Sequence, residues 1–175
     1  NVLPYLTTLS SNIVRDGSMY GTYNHGGAIY WPWQTNGVHP SAGGYGPMNA
    51  ASLPANMALI LAQKCGITNA EISDAVGRGT RFFSFYAGKG SFPYGEHEPW
   101  YYHCSNAKNE MGALMFALMG NRPVETEYFT RMSVANYRGR ELGHTGCGFN
   151  FLWDTLGVNV GGTNALVEYV KKIQW

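Results

Sequence analysis

The chain is predicted to be all-α: an array of helical hairpins with long Gly- and aromatic-rich loops on one face. Three observations predict it. Apolar residues recur at helical spacing in seven separate stretches. Short links, which force antiparallel neighbours, alternate with long loops. A motif also repeats after the first and third helices: Gly26-Gly27-Ala28-Ile29-Tyr30-Trp31 is echoed by Gly88-Lys89-Gly90-Ser91-Phe92-Pro93-Tyr94.

The first helix is expected over about 2–14, with Leu6, Leu9 and Ile13 on one face. The second, about 48–64, carries Met57, Leu59, Ile60 and Leu61, with Pro54 bending it or delaying its start. The third, about 69–87, has the strongest start signal: Thr68 and Glu71 make a capping box, and Ile67 staples onto Ile72. Its stripe continues through Val76, Phe82, Phe83 and Tyr86.

Met111, Leu114, Met115 and Leu118 define the fourth helix, about 106–119, which Gly120 ends. The fifth, about 123–137, opens on Pro123, with Glu125 and Glu127 near its positive end. The sixth, about 147–156, should bury Phe149, Leu152, Trp153 and Leu156 and stop at Gly157. The seventh, about 163–173, turns Leu166, Val170 and Ile173 inward. The short links are Cys65–Thr68, Gly120–Arg122 and a Gly-rich turn before the seventh helix. The long loops are 16–47, 88–105 and 138–146.

This alternation makes the second, fourth and sixth helices inner and parallel. Their amino ends and the long loops then share one face. Each amino end offers free N–H groups and partial positive charge, so the face suits a polar or anionic ligand.

Composition narrows the function classes. Residues AVILMFWYC make up 45% of the 175, enough for a real core in one domain. The net charge is +1 with no basic block, which gives nucleic acid no electrostatic footprint. No apolar run approaches the ~20 residues of a membrane span. Charged residues are only 13%, so surfaces are expected to be covered, by copies of the chain or by the remainder of a longer one.

The stretches GYGPMNAA (44–51), GKGSFPYGEHEPW (88–100), SNAKNEMGALMFALMG (105–120), YFTRMSVANY (128–137) and GHTGCGFNFLW (143–153), with Trp175, resemble an uncharacterised bacterial family, a domain of unknown function. The likeness covers roughly 40–175. It implies the α/α-toroid of terpenoid cyclases and protein prenyltransferases and an exported protein, extracellular or periplasmic. It brings no established activity. The chain then reads as a single toroid-type domain or fragment, with a leading helix and long loop over 1–45 and three hairpins over 46–175. Three hairpins do not close a six-hairpin ring, so each end would expose an apolar face; an association that does not close would build a filament. No Asp-rich diphosphate motif is present, which speaks against terpene cyclisation.

Glu96, His97 and Glu98 are candidate acid/base groups, alternating along one loop, and His144 is another, with Glu141 close enough in sequence to orient it. These groups equally suit caps for helix ends. Lys108 lies in a first turn, where a cation opposes the helix dipole; it pairs with a carboxylate such as Glu96 or Glu98, or awaits an anion. Tyr45, Asn49, Trp100, Tyr102, Asn106 and Asn109 are candidate ligand contacts, the aromatic rings for stacking on sugar and the amides for positioning.

Cys104 and Cys147 stand where the family pattern suggests an acidic residue and Asn, and their joint departure suggests spatial contact. They are candidates for a disulfide, suited to an exported chain. With His103 and His144 they make an alternative zinc set of unusual spacing. No cofactor is otherwise implied. The reading is a domain that binds or processes a carbohydrate or other polar ligand. Its rival is a non-catalytic assembly module whose aromatic loops form subunit contacts.

Overall fold

The computed structural model describes residues 2–12, 49–93, 99, 107–141 and 148–174. Among these the regular elements are all helical: α1 (Leu3–Asn12), α2 (Asn49–Lys64), α3 (Ala70–Ser84), α4 (Lys108–Met119), α5 (Pro123–Ala135), a 3-10 helix (Tyr137–Glu141), α6 (Gly148–Asn159) and α7 (Gly162–Ile173). No helix among the described residues is long and apolar enough to cross a membrane. The chain forms two compact units, one holding α1–α3 and the other residues 86–93 with α4–α7.

In the first unit α1, α2 and α3 pack on one another around Leu6, Leu53, Leu59, Ile60, Ile72, Val76 and Phe83. The link after α2 closes as a Schellman turn. The Ile67 N–H donates to the Ala62 carbonyl (2.9 Å) and the Gly66 N–H to that of Gln63 (3.0 Å), with Gly66 at φ +81°. The capping-box expectation is corrected by one residue. Asn69, extended, is the cap, its Oδ1 accepting from the Ile72 N–H at 2.7 Å. A short amide at this position accepts from the N–H three residues on, so the helix starts one residue later than the Thr68–Glu71 pair implies. Leu61, placed on the apolar face of α2, is exposed.

The second unit is built on the α4–α5 hairpin. Gly120 ends α4 in the left-handed region (φ +76°), which glycine enters without a Cβ clash, and Pro123 opens α5. Its core is a column of rings: Phe92 on Phe129 at 4.2 Å and Phe129 on Phe116 at 5.7 Å, both stacked, with Tyr86 edge-on to Phe92.

The last two helices depart from the sequence pattern. Leu152 and Leu156, expected in the core, are 57% and 43% exposed, and Trp153 is half-buried. The buried face of α6 instead carries Asn150, Asp154, Gly157 and Val158. Gly157 does not stop the helix, which runs on to Asn159. A Cβ there would lie 2.6 Å from the Glu110 Cα, so this position is the point where α6 lies directly on α4. In α7 Val170 is exposed and Tyr169 is the buried residue. Helical spacing shows that a stripe exists; partners decide which stripe is buried.

Candidate functional site

The site is built on the first turn of α4. Ala107, immediately before it, holds φ +60° and ψ +8°, left-handed for a residue with a Cβ. That conformation costs about 1 kcal/mol or more, and such outliers cluster at functional sites. The next three residues, Lys108, Asn109 and Glu110, are entirely buried. A sequence of that polarity is normally solvated, so its burial demands partners.

Asn109 is engaged at both ends of its amide. Its Nδ2 donates to Ser91 Oγ (3.1 Å), and its Oδ1 accepts from the Phe92 N–H (3.3 Å). Tyr128 Oη donates to the Gly90 carbonyl (3.3 Å). The segment Gly90–Phe92, the root of a long loop, is thereby fastened to α4 and α5.

Glu110 faces inward. Its Oε1 accepts from Asn136 Nδ2 (3.1 Å), and its Oε2 has no hydrogen-bond partner among the described residues. Asp154, on α6, is equally enclosed: Oδ2 accepts from Tyr169 Oη (3.2 Å), and Oδ1 has no partner among the described residues. Burial pushes the Glu110 carboxyl above the ordinary range, against the downward pull of the Asn136 amide and the Lys108 charge. Asp154 is pushed up to about 8, first by burial and then by the negative charge of Glu110; the Tyr169 hydroxyl and Arg140 oppose this. Tyr169 is raised as well, by burial and by Asp154. Near neutrality Asp154 therefore keeps its proton, and this neutral, buried carboxyl lies within the electrostatic reach of a second buried carboxyl. Such an acid can donate a hydrogen bond or a proton that an exposed aspartate cannot.

Asn150 Nδ2 donates to the Gly139 carbonyl (2.7 Å), tying α6 to the 3-10 helix. Arg140 lies over the Phe151 ring at 4.8 Å. At the other end of α4, a cavity of about 580 Å³ opens among Phe116, Arg122, Thr126, Thr130, Arg131 and Val160. Its arginines are paired, Arg122 with Glu125 (3.5 Å) and Arg131 with Glu127 (2.6 Å).

Of the residues singled out in the sequence, Lys108 and Asn109 fall side by side in this turn, and Asn49 is buried at the start of α2 in the other unit. Tyr45, Glu96, His97, Glu98, Trp100, Tyr102, His103, Cys104, Asn106, His144 and Cys147 lie outside the described residues. Among the described residues no group of three or more His, Cys, Asp or Glu is placed to hold a metal ion. Sequence reasoning missed Glu110, Asn136, Asp154 and Tyr169. One signal for them was available: Asn150 and Asp154, four apart in an apolar helix, mark a polar stripe.

Fold and site together define an all-helical, hairpin-built domain with a buried carboxyl pair beneath the root of a polar loop. The chain belongs to the family described as "Domain of unknown function (DUF6288)", whose model matches residues 1–175. No curated protein and no solved structure matches it.

Proposed function

We propose that this is a toroid-type domain, exported from the cell, that binds and processes a carbohydrate or related polar ligand at the loops flanking the first turn of α4. The observation that carries the reading is that turn: three consecutive buried polar residues behind a left-handed alanine, one of them half of a proton-bearing carboxyl pair. Strained backbone and displaced carboxyl titration together favour a working site over a plain helix end. Glu96, His97, Glu98 and His144, in the loops that flank α4 and α6 in sequence, are the candidate acid/base groups, and Trp100 and Tyr102 the candidate stacking surfaces.

The experiment is calorimetric titration of neutral and acidic oligosaccharides, paired with chromatography for cleavage products. Saturable binding that weakens in Trp100→Ala, with turnover lost in Glu96→Gln, Glu98→Gln or His144→Ala, supports the reading. A folded protein that binds no member of the panel at millimolar concentration overturns it.

A second reading is favoured by a specific observation. Phe151, Leu152 and Leu156 of α6 and Val167 and Val170 of α7 are all exposed large apolar residues. Such a face suits an assembly contact. Concentration-dependent mass in light scattering, abolished by Leu152→Glu with Leu156→Glu, would favour that reading.

A further inference from the structure

We propose that Glu110 and Asp154 form a proton-operated latch: one proton on the pair holds the first turn of α4 against α6, and its loss releases that turn and the Gly90–Phe92 segment hooked to it. The two side chains come from different helices and are 0% and 2% exposed. Each has one carboxyl oxygen held, by Asn136 and by Tyr169, and one without a hydrogen-bond partner among the described residues. Two buried carboxyls within reach of each other's charge, each with an oxygen lacking a donor among the described residues, repel unless one carries a proton. Gly157 removes the slack: the α6 backbone rests on the Glu110 Cα, so added repulsion moves the helices rather than a side chain.

Among the described residues, the charged and titratable groups that act on the pair are Lys108 on α4, Arg140 on the 3-10 helix and Tyr169 on α7. The neighbour beyond the last turn of α5 is the neutral amide of Asn136. Both carboxyls are raised in spite of Lys108 and Arg140, so the cations do not replace the proton. In the same turn Asn109, next to Glu110, grips Ser91 and Phe92, which makes the loop root the part that moves.

The latch regulates the site proposed above, yet its test needs no ligand, so either idea can fail alone. Hydrogen–deuterium exchange would be followed over residues 86–93 and 107–116 at about pH 6 and about pH 9.5, corrected for intrinsic exchange, with α3 as internal reference. Protection at both segments is expected to fall by about tenfold or more at the higher pH. In Glu110→Gln and Asp154→Asn that pH dependence should vanish. The infrared band of a protonated carboxyl should also be present in the wild type at the lower pH and absent at the higher. Unchanged wild-type protection across this range, or an identical pH response in a folded Asp154→Asn protein, overturns the proposal. If neither variant folds, the wild-type exchange and infrared series decide it.

Discussion

Replacing Gly157 by alanine tests the packing of α6 on α4 with a single methyl group. The new Cβ would sit 2.6 Å from the Glu110 Cα and 2.8 Å from its carbonyl oxygen. Carbon atoms prefer roughly 3.5–4.0 Å, so the overlap is about 1 Å, and it is with backbone that cannot rotate away. The helices must separate, which forfeits contacts along the seam and costs about 3 kcal/mol. Alanine returns about 1 kcal/mol through helix propensity, leaving a net loss of about 2 kcal/mol. For a chain of this size that lowers Tm by roughly 4–8 °C. Gly77 in α3 is the control. Among the described residues its Cβ would meet only the Arg81 guanidinium tip at 3.7 Å, so Gly77→Ala should gain up to about 1 kcal/mol. Urea and thermal unfolding of both variants measure the pair. A Gly157→Ala protein as stable as the parent would refute the close approach.

Stability should also depend on pH with a definite sign. Asp154 has an ordinary value of 3.8 and is held at about 8 when folded, so between these values the folded chain binds more protons than the unfolded one. Its contribution is full below about pH 4 and is lost as pH rises through about 8, at about 1.4 kcal/mol per pH unit for one proton. Denaturant titrations across that window should show the slope, and Asp154→Asn should flatten it. Asn69→Ala removes the α3 cap and should cost about 1 kcal/mol in the same assay. Leu152→Glu, in a residue the sequence pattern places in the core, should change folding stability by no more than about 0.5 kcal/mol, because its side chain is exposed. A loss of several kcal/mol would restore the original orientation of α6.

Much of the helical layout was legible because its causes are local. Gly120 stops α4 and Pro123 starts α5, each at the expected residue, and Gly66 turns the chain within the expected link after α2. These are properties of a few consecutive residues and need no tertiary partner. The α3 cap slipped by one because Thr68 and Asn69 are both competent, and backbone geometry chooses between neighbours. Of the site, Lys108 and Asn109 were read as polar residues in a first turn, but their burial was not, since nothing local predicts it.

What the amino-acid order determined by itself is the helical periodicity, the turn chemistry and membership of the family. What only the tertiary structure decided is which face of α6 is covered and which carboxyls meet. Leucines and a polar stripe compete for the inside of α6, and the polar stripe is buried because Tyr169 and the Gly139 carbonyl supply its partners. Glu110 and Asp154 are far apart along the chain, and the charge effect of one on the other is a consequence of two helices meeting at a glycine.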